Sequence, residues 1–279
     1  MRLTHESDVL APRTRVWSLT EDLEAWPTVT PTVTSVERLD TGPLREASRA
    51  RVVQPRQRPT IWRVRSVEPP HLFVWESTTA GVRLVAGHHL TEVEGGTRTL
   101  LVLDVLDVLG SRAPVVGRLA GPRMRRALAT ENDGFRRAAE GLRRPTYVDE
   151  HATVLDVPVS RAWDGCRRFV DDLLARGGES RLTGLLATDP PAGFAVTEEQ
   201  PPHLMSLAGR HRFSDYVLDL RISPVGSPGQ GTRVTAVTYA DFPGPRGRAY
   251  RAAVVGSRGH VVAVRRMLAA VRERVSTSP

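Results

Sequence analysis

The stretch His5-Glu6-Ser7-Asp8-Val9-Leu10-Ala11-Pro12-Arg13-Thr14-Arg15-Val16-Trp17 has a counterpart at the same internal spacing, His151-Ala152-Thr153-Val154-Leu155-Asp156-Val157-Pro158-Val159-Ser160-Arg161-Ala162-Trp163. Histidine, proline, arginine and tryptophan hold matched positions in both. Two more landmarks recur in the same order. Pro69-Pro70-His71-Leu72 returns as Pro201-Pro202-His203-Leu204, and Gly96-Thr97-Arg98 returns as Gly231-Thr232-Arg233. Each copy then closes in a long arginine-rich stretch of helical spacing. Landmarks repeated in one order imply a repeated structural unit, so domain count and fold are fixed together. At 279 residues the chain is also long enough for two units that each bury a core. The expected division is 1–144 and 145–279. It falls near Gly141 to Tyr147, where Arg143-Arg144-Pro145 ends a helix and a strand pattern begins.

In the first copy, residues 3–10 read as a strand, Pro12 opens a short helix, and a second turn ends at Trp26-Pro27. Strand patterns follow at about 32–40, 46–54, 60–68, 71–79, 82–92 and 97–107. Thr41-Gly42-Pro43, Glu68-Pro69-Pro70 and Glu94-Gly95-Gly96 mark turns between them, which suits an antiparallel meander. A helix over about 112–142 places Met124, Leu128, Phe135, Ala138 and Leu142 at helical spacing, an apolar stripe that covers one face of the sheet. The second copy keeps the plan with a longer first helix, about 159–175, and one strand fewer before its double proline. Its closing helix, about 246–275, carries Val254, Val261, Val264, Leu268, Val271 and Val275 on one stripe, with Arg251, Arg258, Arg265 and Arg272 every seven residues beside it. Gly256 and Gly259 are expected to bend it.

Hydrophobic content of 40% and charged content of 25% are those of an ordinary globular protein. No run approaches the ~18 apolar residues of a membrane span, and Met1 to Leu10 has no apolar signal core, so a cytoplasmic protein is expected. Cys166 is the only cysteine, which excludes an intrachain disulfide; its place between Trp163 and Phe169 suggests a buried thiol. All 39 basic residues are arginine, and the formal charge is +8. With no nucleic-acid motif beside it, this excess predicts no specific nucleic-acid partner. The sequence has no Ser-His-Asp order, zinc-spaced histidine cluster, P-loop or Gly-x-Gly-x-x-Gly. No metal, no cofactor and no nucleotide chemistry are therefore expected.

Val16-Trp17-Ser18-Leu19 through Asp22-Leu23-Glu24-Ala25-Trp26-Pro27, then Trp62, Glu68-Pro69-Pro70, Trp75-Glu76 and Gly96-Thr97-Arg98, resembles the polyketide cyclase/dehydrase branch of the SRPBCC (START-like) superfamily over essentially all of the first copy. The second copy, through Gly209-Arg210-His211-Arg212-Phe213-Ser214 and Asp241-Phe242-Pro243-Gly244, resembles a more distant branch. The resemblance implies an α+β chain of two tandem helix-grip domains, each a curved antiparallel sheet wrapped around a long C-terminal helix and enclosing a cavity for a hydrophobic molecule. It does not imply one reaction, since members bind, transfer or cyclise. Trp26 matches the pocket tryptophan of aromatase/cyclases in this superfamily. Those proteins also use a tyrosine soon after it, which Thr28 to Ser35 lacks, and an arginine on a middle strand, where this sequence has Arg63 and Arg65.

Trp26, Trp62 and Trp75 are candidates either to line a cavity around a flat ligand or to fill the core. His88 and His89 are adjacent on a strand, so one of them faces inward, as acid, base, hydrogen-bond donor or structural residue. Glu131 stands among the apolar positions of the first long helix. There it either faces the cavity as a proton-transfer group or pairs with an arginine such as Arg65. Glu131, His88 and Arg65 are the catalytic candidates. His211, Phe213, Tyr216 and Tyr239 are ligand-binding candidates of the second copy; Arg210 and Arg212 share the strand face opposite His211. The expected function is binding of a hydrophobic, polyketide- or lipid-like small molecule, with cyclase/dehydratase acid–base chemistry in the first copy. The alternative is a non-catalytic interaction module whose arginine-rich helices meet an anionic partner.

Overall fold

A computed structural model describes residues 1–79, 81–107, 112–176, 187–225 and 231–277. The chain divides into two compact units, Met1–Arg143 and Arg144–Pro279. The first runs β1 (Arg2–Val9), α1 (Arg13–Glu21), a 3-10 turn (Leu23–Ala25), α2 (Trp26–Val29), β2 (Ser35–Arg38), β3 (Arg49–Val53), β4 (Thr60–Glu68), β5 (Leu72–Thr79), β6 (Val82–Val93), β7 (Gly96–Asp107) and α3 (Arg112–Glu140). Its seven strands form one antiparallel sheet in the order β1-β7-β6-β5-β4-β3-β2. Alternation decides which side chains meet α1, α2 and α3. On β4, Trp62 and Val64 are buried while Ile61, Arg63 and Arg65 are exposed. Trp26-Pro27 begins α2 rather than ending a turn, because a proline in the first helical turn removes a donor that has no partner there.

The second unit runs β8 (Tyr147–Leu155), α4 (Val159–Arg176), β9 (Ala195–Gln200), β10 (Leu204–His211), β11 (Ser214–Pro224), β12 (Thr232–Asp241), α5 (Gly244–Arg251), a π-helical turn (Ala252–Gly256) and α6 (Gly259–Thr277). Its sheet order is β8-β12-β11-β10-β9. Among the described residues it has two strands fewer than the first sheet, not one. The closing helix is interrupted more sharply than its glycines suggested. Arg258 takes a left-handed φ of 61°, which ends the helical path, and the Ser257 hydroxyl turns back onto the Ala253 carbonyl. Leu268, Val271 and Val275 of α6 pack with Cys166 and Val170 of α4 in the core. At Gly165 a methyl group would lie 2.2 Å from Val275 Cγ2, so the absent side chain is what lets these helices meet. Burial pushes the Cys166 thiol up to about 12, that of an inert core residue.

Two of the three repeated landmarks make the same contacts in both units. Thr97 donates its hydroxyl to the Ala11 carbonyl at 2.8 Å, and Thr232 does so to Val157 at 2.6 Å. The Gly-Thr-Arg motif thus closes onto the residue before each helix-opening proline. In the first unit a Cβ on Gly96 would fall 2.0 Å from the Val9 carbonyl oxygen. At the double prolines, the His71 amide donates to Glu68 and the His71 carbonyl accepts from Leu90; His203 repeats this with Gln200 and Ile222. No helix of the described residues is long and apolar enough to cross a membrane.

Candidate functional site

In the first unit a cavity of about 140 Å³ opens between the sheet and α3. Trp62 and Val52 of the neighbouring strands β4 and β3, Trp75 of β5, and Leu84 and Ala86 of β6 form its sheet wall. Met124, Ala127, Leu128 and Glu131 face it from α3, and Trp26 of α2 closes one side. Gln57 and Ala127 are exposed, which puts the mouth between the β3–β4 connection and α3. The aromatic rings form a connected wall. The Trp26 ring lies 5.1 Å from that of Trp75 and 5.3 Å from that of Phe135, and Trp62 and Trp75 are 4.8 Å apart. Trp26 itself is fixed by its indole N–H, which donates to the Thr20 carbonyl at 3.2 Å.

Glu131 brings a carboxylate to this apolar wall. Thr32 donates to its Oε2 at 3.0 Å, and Oε1 lies 3.5 Å from Nε2 of His88. His88 shares the inward parity of Leu84 and Ala86 on β6 and is buried between Trp26, Phe73 and Phe135. His89 takes the other face. Burial first, then the neighbouring His88 and Arg2, lower its pKa below the ordinary 6.5. The α3 residues after Glu131 anchor the helix. Buried Asn132 accepts from Thr99 at 2.6 Å, and buried Asp133 pairs with Arg136 at 2.6 Å and Arg137 at 2.8 Å. Gly134 lets α3 approach α2, since a Cβ there would sit 2.5 Å from the Val29 carbonyl oxygen.

A family described as polyketide cyclase / dehydrase and lipid transport matches residues 1–144, more than half of the chain. The chain belongs to this family. No curated protein matches the sequence. Among solved structures, this family member is similar over its whole length to the di-domain ARO/CYC BexL from the BE-7585A biosynthetic pathway, with 15% identity, full coverage of both chains and a TM-score of 0.42. The di-domain ARO/CYC StfQ from the steffimycin biosynthetic pathway is also 15% identical, over 99% of this chain and 100% of that one, with a TM-score of 0.37. TTHA0849 from Thermus thermophilus is 18% identical over 50% of this chain and 98% of its own, with a TM-score of 0.43.

In this member of the polyketide cyclase / dehydrase family the site candidates divide. Trp26, Trp62, Trp75 and Glu131 line the cavity, and His88 stands behind Glu131. Arg65 does not join them. It lies on the exposed face of β4 and donates to Glu76 at 3.0 Å, which Arg83 also reaches at 2.8 Å. Its strand parity opposes that of Trp62 and Val64, so it neither enters the cavity nor pairs with Glu131. Thr32, Gln54, Gln57 and Phe73 are additions. Phe73 was legible as the residue two before Trp75 on one strand face, whereas Thr32 sits in a loop with no pattern to mark it.

In the second unit His211, Phe213 and Tyr216 gather around Tyr250 of α5. The Tyr250 ring lies 4.8 Å from that of His211 and stacks at 5.4 Å on Phe213; Tyr216 lies 5.5 Å from His211. The Phe213 amide donates to Nδ1 of His211, so the neutral ring carries its proton on Nε2. Burial lowers the His211 pKa below 6.5, partly opposed by Asp215. Tyr216 donates to the Gly193 carbonyl at 2.5 Å, and burial, with Tyr250 nearby, pushes its phenol up to about 12. Tyr239 stands apart from this group, fully buried against Tyr147. Arg210 pairs outward with Asp189, leaving His211 as the inward residue.

Proposed function

We propose that the first unit binds a hydrophobic, polyketide-like molecule in its tryptophan-walled cavity and that Glu131 exchanges a proton with it in a cyclase/dehydratase step. The observation that carries this reading is a carboxylate among the tryptophan and aliphatic side chains of the cavity wall, hydrogen-bonded at one oxygen by Thr32 and with His88 3.5 Å from the other. A volume of about 140 Å³ takes about one aromatic ring. The reacting segment of a longer ligand would therefore lie inside, with the rest passing the mouth at Gln54 and Gln57. Flat rings of Trp62 and Trp75 favour a planar segment, and the two glutamine amides offer donors to carbonyl oxygens.

As a base, Glu131 takes a proton from a carbon flanked by two carbonyl groups. The enolate formed makes a carbon–carbon bond to a carbonyl further along the same chain, and the proton passes to the resulting alkoxide. A second abstraction at the same carbon, with that hydroxyl leaving as water on receiving the proton, completes an aromatising dehydration. Thr32 acts as a positioning residue: its hydrogen bond orients the carboxylate without contacting the reacting atoms. Ring closure of a linear 1,3,5,7-tetraketone, followed by ultraviolet absorbance, tests the reading. Glu131→Gln keeps size and shape and should lower the rate about 10²-fold or more, with the far-ultraviolet spectrum unchanged. An unchanged rate would remove Glu131 from the chemistry.

A further inference from the structure

A second cavity-sized feature lies in the other unit and is independent of the function proposed above. Between the edge strand β8 and α6 runs a groove of about 380 Å³, lined by His151, Ala152, Thr153, Arg265, Leu268, Ala269 and Arg272. Arg265 and Arg272 are two helical turns apart, about 10 Å along α6, and share its groove side. Both are exposed, and neither is joined to a carboxylate among the described residues. Asp149, the acid beside His151, is taken up by His260, whose Nε2 lies 2.5 Å from its Oδ2. Nε2 of His151, 3.3 Å from the same oxygen, is buried without a hydrogen bond.

Two guanidinium groups at the rim, joined to no carboxylate among the described residues, and an apolar side formed by Leu268 and Ala269 make a recess for a molecule with an anionic end. The charge matches a phosphate monoester, which carries close to two negative charges at neutral pH. Guanidinium groups are the side chains best suited to grip it. The volume lies in the range of small-molecule sites. An extended polyanion fits less well. The seven-residue arginine row breaks at Arg258, so Arg251 and Arg258 do not continue the α6 pair as one straight helical line.

We infer that this groove binds a phosphate-bearing small molecule, its phosphate held by Arg265 and Arg272 and its apolar part seated on Leu268 and Ala269. The test follows the arginine Nε–H signals of the full chain by NMR during titration with phenyl phosphate, with inorganic phosphate and with sodium chloride at matched ionic strength. The Arg265 and Arg272 signals should shift and saturate with phenyl phosphate, and at least several-fold higher concentrations of inorganic phosphate should be needed. Sodium chloride should not reproduce the shifts. The double variant Arg265→Gln/Arg272→Gln, altered only at exposed positions, should bind phenyl phosphate at least tenfold more weakly, while Arg63→Gln on the other unit should bind as the parent does. Equal affinity in the double variant, or shifts matched by sodium chloride, would overturn the site. Equal response to the two phosphates would overturn the apolar seat. The indole signals of Trp26, Trp62 and Trp75 report separately on the first unit, so failure here is distinguishable from failure of the proposed function.

Discussion

Thr32 donates its hydroxyl to Oε2 of Glu131 at 3.0 Å, tying the loop after α2 to the middle of α3 across 99 residues of chain. Nε2 of His88 lies 3.5 Å from the other oxygen. Thr32→Val keeps the shape of the side chain and removes the donor. It should lower the rate of tetraketone closure about tenfold while changing stability by about 1 kcal/mol or less. A rate loss with an unchanged KM identifies positioning; a rise in KM alone would make Thr32 a ligand contact instead.

Gly134 governs the same contact from the helix side. Its missing Cβ leaves room for the Val29 carbonyl, and backbone atoms cannot step aside as a flexible side chain can. Gly134→Ala should cost about 1–3 kcal/mol in urea unfolding despite alanine's better helix propensity. A stabilised variant would show that α3 and α2 are not in close contact.

Asp133 pairs with Arg136 and Arg137 where its own side chain and that of Arg136 are almost wholly buried. Asp133→Ala leaves the Arg136 charge without its main carboxylate. The expected destabilisation is about 3–5 kcal/mol, well above that of an exposed ion pair. Urea midpoints of the two proteins at one pH check it, and a loss under 1 kcal/mol would contradict it.

His211 gives a pH signature. Burial lowers its folded pKa below 6.5, so on acidification the unfolded chain takes up the proton first. Its contribution is intact above the unfolded value and is lost as pH falls from about 6.5 toward the folded value. The parent protein should therefore lose more stability between about pH 7 and about pH 5 than His211→Gln does. Identical slopes would contradict a half-buried imidazole whose pKa is lowered on folding.

Much of the first unit was legible because its strands alternate cleanly. The limits expected for β4, β5, β6 and β7 fall within a residue or so of those observed, and the helix expected from residue 112 begins at Arg112. Parity was also enough to place Arg65: once Trp62 is inward, Arg65 on the same strand faces out. Alternation could not choose between His88 and His89, because that needs a known inward neighbour on β6, which Leu84 and Ala86 supply only in three dimensions. Thr32 was beyond reach, since its partner lies on a distant helix. The break in the last helix turns on a left-handed arginine, Arg258, a conformation with no residue-type signature of its own.

The function proposed for the first unit requires that its cavity take a planar hydrophobic ligand. The chain has five tryptophans, three of which line that cavity, while Trp17 and Trp163 do not. Indole N–H signals recorded by NMR during titration with phenol, a single planar ring, compare the two groups within one sample. Saturating shifts are expected at Trp62 and Trp75, a smaller one at Trp26 behind them, none at Trp17 or Trp163, and loss of all shifts in Ala86→Phe, whose ring fills the cavity. No shift at Trp62 and Trp75, or equal shifts at all five indoles, would contradict it.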